Sequence, residues 1–178
     1  ELKKLGVEVD IKTDMDFEPK DYDLVHVFQL DWTPETFFYA KKAKNAGVPL
    51  VLSPIHHDVR EVKKFDDVFV FDFRRISRFF FRDQFKRDTF KNVYRSLFDR
   101  RKFKSTLYSV IHGFKNMQRE VLEMSDAVLV QTVREAEDLK RTFGVDFRWE
   151  KVLNGVGEAF INPKPFKNPF DFEDYIMC

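Results

Sequence analysis

Apolar positions follow two different periods along the chain, and their alternation predicts strands separated by helices. Nearly continuous apolar runs at residues 24–28, 48–55 and 127–131 are typical of strands buried on both faces of a parallel sheet. Residues 7–11 alternate apolar and polar, which predicts a further strand, and residues 151–153 predict a short last one. We therefore expect an α/β fold, a Rossmann-like parallel sheet flanked by helices.

Capping residues predict where the helices begin and end. Thr33, followed by Pro34, predicts the start of a helix that closes at Gly47. Residues 105–124 predict one amphipathic helix capped by Ser105. Thr132 with Glu135 three positions later predicts a capping box.

Residues 1–161 are predicted to form one domain, and residues 162–178 a proline-rich linker leading into a C-terminal domain. The opening residues read as the last turn of a helix that ends at Gly6, so we expect the first strand of the sheet to be missing. The 43% hydrophobic and 34% charged residues exclude a disordered chain. No apolar run reaches about 18 residues, which excludes a membrane span. The single cysteine, Cys178, leaves no disulfide within the chain and favours a cytoplasmic location.

Ligands of open parallel sheets bind at the carboxyl ends of the strands, and this rule selects the candidate site. An imidazole there can hydrogen-bond a polar ligand and titrates near neutrality, so a pair of histidines provides the catalytic candidates. The substrate-binding candidates are polar or turn-forming residues of the same loops. The catalytic candidates are His56 and His57, and the substrate-binding candidates are Gln29, Asp31, Asp58, Thr132, Asn154 and Gly155.

Alternative interpretations stay open for several of these residues. Thr132 could serve only as a helix cap, and Asn154 with Gly155 could form only a turn. The triplet at residues 56–58 could ligate a metal, which would suit a metal-dependent hydrolase, although adjacent histidines point apart. His26 in the predicted strand favours a satisfied core histidine.

Four segments that end in these loops match known motifs in order and spacing. Residues 21–28 (DYDLVHVF) are similar to D-x-V-H-x-H, and residues 48–58 (VPLVLSPIHHD) to G-x-P-x-V-x-T-x-H-D. Residues 125–132 (SDAVLVQT) are similar to A-D-x-V-x-x-x-S, and residues 143–156 to F-G-v…K-v-x-x-I-P-N-G-V-D. The chain departs from these motifs at Phe28, which replaces the second histidine, and at Gly157, which replaces the aspartate. Together the segments resemble family 4 of the retaining glycosyltransferases.

That resemblance implies the N-terminal, acceptor-side half of a GT-B fold. It implies transfer of a sugar from a nucleotide-sugar to a glycan or lipid-linked acceptor, in members similar to those of cell-surface polysaccharide biosynthesis. By register His56 matches the substrate-contacting histidine, and His57 takes its place if the loop shifts by one residue. The donor is expected in a C-terminal domain, so we expect no cofactor and no transfer by this chain alone.

Residues 74–104 form a basic aromatic helical segment. Its twelve Lys or Arg and three Asp or Glu give a charge of about +9, against about −8 for the rest. Phe90, Tyr94 and Phe98 fall on one helical stripe. The stripe could pack on the core, or the segment could bind an anionic membrane surface at the inner face of the membrane. A non-enzymatic basic module is the corresponding alternative function, and nucleic acid is the less expected partner. The candidate anion-binding residues are Arg74, Arg75, Arg78, Arg82, Lys86 and Arg87.

Overall fold

A computed structural model of the chain describes residues 2–13, 15–31, 33–69, 81, 83–98 and 103–155. Within these residues four strands form one sheet in the order β1-β2-β3-β4, and every neighbouring pair is parallel. The strands are β1 (Val25–Phe28), β2 (Leu50–Ser53), β3 (Ala127–Val130) and β4 (Trp149–Lys151). The α/β class and the parallel sheet predicted from the apolar runs are therefore confirmed.

Six α-helices and two 3₁₀ turns are described besides the sheet. The turns are Leu2–Leu5 and Pro19–Asp21. The helices are α1 (Glu35–Ala46), α2 (Val59–Phe69), α3 (Gln84–Phe98), α4 (Phe103–His112), α5 (Phe114–Met124) and α6 (Val133–Phe143). None of the described helices combines the length and the apolar character that a membrane span requires.

The core lies where the central strands meet α1, α5 and α6. Its fully buried side chains come from the strands and from the inner faces of these helices, and each large one stabilises the fold by about 2 kcal/mol. They include Leu30, Phe37, Leu50, Leu52, Met117, Leu122, Val128, Val130 and Leu139. Because β2 and β3 are flanked on both sides by strands, the loops that follow these two strands start from the best-packed part of the domain.

Asp126 fixes the start of β3 against β2. Its carboxylate accepts a hydrogen bond from the backbone N–H of Leu50 at 2.8 Å, and its own N–H donates to the Leu50 carbonyl at 2.8 Å. The hydrogen bond from Leu50, assisted by the nearby Lys44 ammonium, lowers the pKa of Asp126. This contact sets the register of the two central strands and with it the relative height of the loops at their far ends.

Residues 7–11 do not form the predicted strand. They run without regular secondary structure, and Val7, Val9 and Ile11 are exposed. A strand needs a partner for its backbone groups, and in the described residues β1 pairs only with β2. The alternation of apolar and polar residues favours a strand locally, but no strand of the described part of the chain pairs with this segment.

Two predicted helix boundaries are also wrong. Thr33 does not cap α1: its hydroxyl donates to the Leu30 carbonyl at 3.0 Å, and Pro34 stands at the cap position without a side-chain hydrogen bond. The single helix predicted at residues 105–124 is two helices, because Gly113 has a φ of 85° between α4 and α5. The predicted helix end at Gly47 is confirmed, and Gly47 and Gly144 both end their helices in the left-handed conformation.

Candidate functional site

The carboxyl ends of the four strands bring the predicted site residues to one edge of the sheet. Asp31 follows β1, His56 and His57 follow β2, Gln131 and Thr132 follow β3, and Asn154 follows β4. Contacts link them across the edge: Asp31 to both histidines, His56 to Glu135 at the start of α6, Glu135 to Gln131, and Gln131 to Asn154. The loops that follow the four strands therefore meet at one edge of the sheet.

Two non-glycine residues at the strand ends have left-handed backbone conformations. Gln29 has a φ of 62° directly after β1, and Ile55 has a φ of 45° between β2 and the histidines. For a β-branched residue such as isoleucine this conformation is costly, by an amount on the order of 1–3 kcal/mol. Strained backbone conformations cluster at functional sites and persist only where the surrounding structure holds them. The turn at Ile55, which precedes the two histidines, is therefore held in place by the packing around it.

His56 is buried between two carboxylates. Only 2% of its side chain is exposed. Its Nδ1 lies 3.3 Å from Asp31 Oδ1 in a hydrogen bond, and its Nε2 lies 3.3 Å from Asp138 Oδ2, outside hydrogen-bond geometry. The ring also meets Phe143 edge-on, with centroids 6.0 Å apart. Whichever ring nitrogen carries the proton, a carboxylate oxygen faces it.

His57 points the other way. Its side chain is 71% exposed, and its Nδ1 lies 3.6 Å from Asp31 Oδ2. Asp31 thus places one carboxylate oxygen near each histidine. No described residue makes a hydrogen bond to His57 Nε2, so this nitrogen faces the space in front of the site.

A cavity of about 830 Å³ opens in front of His57. Its walls are the loop after β2, one side of α2 and the first turn of α6, which supply charged, apolar and imidazole groups. They are His56, His57, Asp58, Glu61, Val62, Lys64, Phe65, Val68 and Arg134. A concave site of this size is large enough for a saccharide unit.

Asp58 lines this cavity, but its carboxylate is already engaged. It caps α2 by accepting the backbone N–H of Arg60 at 2.8 Å, and the Arg60 guanidinium donates to both of its oxygens. Arg141 adds a second cation 3.7 Å away. The hydrogen bond from the Arg60 side chain is the main reason why the pKa of Asp58 falls to about 2. Asp58 therefore serves the start of α2, and only part of its surface is open to a ligand.

The remaining candidates divide between the two ends of the edge. Thr132 caps α6 by accepting the N–H of Glu135 at 3.1 Å, which fulfils the capping alternative. Asn154 accepts a hydrogen bond from Gln131 at 3.4 Å, and Gly155 has open space around its Cα.

Gln29 lines a separate cavity of about 350 Å³ along the outer side of β1, with His26 and Tyr39. Gln29 and His57 therefore do not share a cavity.

His26 has a hydrogen-bond partner, but it is half-buried and lines the cavity beside β1, so it is not the core histidine that the strand pattern favoured. Its Nε2 lies 2.9 Å from the Ser53 hydroxyl, and its ring stacks on Phe28 with centroids 4.1 Å apart. Burial lowers the pKa of His26, which disfavours the charged ring in the sheet.

Sequence reasoning missed Asp138 and saw only part of the role of Glu135. Glu135 was expected to cap α6, but its carboxylate reaches further and ties the loop after β2 to the loop after β3. Asp138 lies one turn later on the same helix face and is 7% exposed. A charged residue on the apolar face of a helix was the available signal, since charges are rarely buried without a partner.

The described residues offer no group of three or more His, Cys, Asp or Glu side chains that could hold a metal ion. The described site therefore lends no support to the metal-dependent hydrolase interpretation.

The anion-binding candidates are only partly visible. Arg74, Arg75, Arg78 and Arg82 lie outside the described residues. Lys86 is exposed on α3. Arg87 is wrong as a surface cation, because its side chain is buried and its Nε donates to the Phe81 carbonyl at 2.8 Å.

The aromatic stripe of α3 does not join the core. Phe90 packs beside Phe81, with ring centroids 5.8 Å apart, and Tyr94 packs beside Phe98, with centroids 5.1 Å apart. Phe98 is largely exposed, and all three rings lie outside the core cluster. The interpretation that the stripe packs on the domain core is therefore wrong for these residues.

Comparison with protein-family models, with curated proteins and with solved structures found no match. What this site does is therefore inferred from its own geometry and from the sequence motifs that lead into it.

Proposed function

We propose that this chain is the acceptor-binding side of a retaining glycosyltransferase, with a second Rossmann-like domain binding the nucleotide-sugar. The observation that carries the proposal is the contact chain across the sheet edge, which joins the ends of all four strands from Asp31 to Asn154. These are the loops that carry the glycosyltransferase-like motifs, and a cavity opens beside them. Open parallel sheets bind their ligands at this edge.

The chemistry of the edge also suits a saccharide. Imidazole and amide groups donate and accept hydrogen bonds, as a sugar hydroxyl does. The acidic groups of the cavity are largely neutralised within the chain, Asp58 by Arg60 and Glu61 by Lys64. A neutral polyhydroxyl ligand therefore meets hydrogen-bonding groups without facing a strong net charge.

Binding to the chain tests this proposal. The ¹⁵N-labelled chain is titrated with oligosaccharides, with lipid-linked saccharides and, separately, with nucleotide-sugars, and the amide shifts are followed by NMR. We expect a saccharide to shift amides of residues 29–31, 56–58, 131–132 and 154–155, and nucleotide-sugars alone to leave them unchanged. Asn154→Ala should weaken this binding, whereas Asn45→Ala, at the exposed C-terminal end of α1, should not. Binding of nucleotide-sugar but no saccharide at this edge would contradict the proposal.

A second function, docking to an anionic membrane surface, has its own supporting observation. The outward face of α4 is apolar along its whole length and exposed, at Phe103, Leu107, Val110 and Ile111, the last 81% exposed. Phe98 at the end of α3 adds a further exposed ring, and Lys104 flanks the face with a positive charge. Apolar side chains beside cations are what a helix needs to lie in the surface of an anionic bilayer. We propose an anionic lipid bilayer as the partner of this face.

Liposome flotation distinguishes this second function. We expect the chain to float with vesicles that contain phosphatidylserine and much less with phosphatidylcholine alone. The double substitution Leu107→Asp and Ile111→Asp should reduce flotation at least about tenfold, because two exposed aliphatic side chains that would enter the bilayer are replaced by charged ones. Val9→Asp with Ile11→Asp is the matched control, since it also replaces two exposed aliphatic side chains, which lie far from α4 in sequence. Equal loss in the control, or no loss in the α4 variant, would remove the membrane proposal.

A further inference from the structure

We infer that His57, oriented by Asp31, is the side chain that binds the acceptor hydroxyl, and that His56 is the buried support of this pair. The inference rests on the proposed acceptor-binding function. It departs from the motif register, which places His56 in the substrate-contacting position.

Exposure separates the two histidines. The side chain of His56 is 2% exposed and that of His57 is 71% exposed, although the residues are adjacent. The left-handed turn at Ile55 directs the first imidazole inward and leaves the second outside. A ligand in the cavity can reach His57 without any rearrangement, whereas reaching the His56 ring nitrogens requires displacing Asp31 or Asp138.

Asp31 favours one tautomer of His57 through its charge. Its Oδ2 lies 3.6 Å from Nδ1, which is longer than a hydrogen bond, and the negative charge there favours a proton on Nδ1. A ring with its proton on Nδ1 offers the lone pair of Nε2 as an acceptor, and the partner of one nitrogen sets the role of the other. The hydroxyl of an acceptor sugar then donates to His57 Nε2. Asp31 is a positioning residue in this arrangement because it acts on the ligand only through the ring.

His56 holds the carboxylate in place. The hydrogen bond from His56 Nδ1 to Asp31 Oδ1 spans 3.3 Å, and the ring is wedged between Asp138 and Phe143. The backbone N–H of His56 donates to Glu135 at 2.8 Å, which anchors the loop to α6. Because the His56 ring is confined by its neighbours, it holds the Asp31 carboxylate at a fixed distance from His57. His57 is therefore already oriented to accept a hydrogen bond before the ligand binds.

Two measurements on the ligand-free chain test the pair. Carbethoxylation with diethylpyrocarbonate, followed by peptide mass spectrometry, should modify His57 faster than His56, and long-range ¹H–¹⁵N correlation should show the Nδ1-protonated ring at His57. Asp31→Asn should change this tautomer ratio, while His112→Asn should not. Modification of His56 at the same rate as His57, or an Nε2-protonated His57, would overturn the inference.

The ligand-bound measurements separate this inference from the proposed function. With a saccharide that binds the edge, we expect His57 to be protected from carbethoxylation. His57→Ala should weaken the binding roughly three- to tenfold, as the loss of one hydrogen bond does, and His57→Gln should restore part of it. If the saccharide binds but His57 is not protected and its substitution has no effect, the inference fails and the proposed function stands. If no saccharide binds, both fail.

Discussion

The carboxylate of Glu135 accepts a hydrogen bond from the backbone N–H of His56, 79 residues earlier in the chain, at 2.8 Å. Its second oxygen accepts the N–H of Gln131, also at 2.8 Å. One side chain therefore ties the loop after β2 to the loop after β3, and the positions of both depend on it.

Replacing Glu135 should loosen both loops. Glu135→Ala removes the acceptor for two backbone N–H groups, and hydrogen bonds to a charged partner contribute about 1.5–3 kcal/mol each, so we expect a loss of about 2 kcal/mol or more in the free energy of unfolding. Hydrogen exchange should accelerate at the amides of His56 and Gln131, as measured by NMR. Glu135→Gln keeps one carbonyl oxygen and should protect one of the two amides.

The exposed Glu137 on the same helix provides the control. Glu137→Ala should leave the exchange of both amides unchanged. Unchanged exchange in Glu135→Ala would show that the two loops hold their positions without this carboxylate.

The two histidines should differ in their effect on stability as well as in ligand binding. His56→Ala empties a buried position and leaves Asp138 without its imidazole neighbour, which should lower the free energy of unfolding by about 2–3 kcal/mol. His57→Ala removes an exposed side chain and should change the same free energy by no more than about 0.5 kcal/mol. Urea unfolding at pH 7 measures both, and equal values for the two variants would contradict the buried and exposed assignments.

Asp58 should make stability depend on pH in the acid range. Its pKa in the folded chain is about 2, below the value of about 3.9 for an unfolded aspartate. The charge therefore stabilises the fold above about pH 4, and this contribution is lost as the pH falls from about 4 to about 2.

Asp58→Asn isolates that charge, because asparagine also caps helices well. We expect a difference from the native chain of at most about 1 kcal/mol at pH 7, since the partner Arg60 is exposed, and the difference should vanish near pH 2. Urea unfolding of both chains across this range measures it. A difference that stays constant from pH 7 to pH 2 would show that the Arg60 pair contributes nothing.

Gly113 should resist substitution. Its φ of 85° separates α4 from α5, while a Cβ added there would meet nothing closer than 3.8 Å. The cost of Gly113→Ala is therefore conformational, about 1 kcal/mol in the free energy of unfolding. Gly155→Ala, at a glycine without positive φ and with open space, should be nearly neutral. The thermal unfolding midpoints of the two variants should differ by about 2–4 °C.

Much of the sheet could be predicted because its signals are local. The apolar runs of β1, β2 and β3 predict strands, although β1 is only partly buried and Phe28 is exposed. Gly47 and Gly144 end their helices because glycine readily adopts the left-handed conformation. The strand predicted at residues 7–11 failed because pairing depends on a partner that lies outside the pattern itself. The helix break at Gly113 was not predicted because the amphipathic pattern of apolar residues continues on both sides of this glycine.

The site could be located from the sequence but not resolved. The rule for parallel sheets selects the loops, yet it does not say which of two adjacent histidines faces inward. That outcome depends on the φ of Ile55 and on Asp138, a residue 82 positions away from His56 in the chain. The directions of side chains in a loop depend on contacts with residues that are distant in sequence. A local sequence pattern does not show those contacts.

The outer side of β1 has a consequence for how the chain meets other chains. In the described residues β1 pairs on one side only, and Val25 and Gln29 direct their N–H groups toward the β2 side. Alternate residues of a strand point their backbone groups to opposite sides, so those of His26 and Phe28 face outward. An unpaired edge is a template that any extended segment of matching pattern can join. The outer edge of β1 is therefore where a further extended segment can extend this sheet.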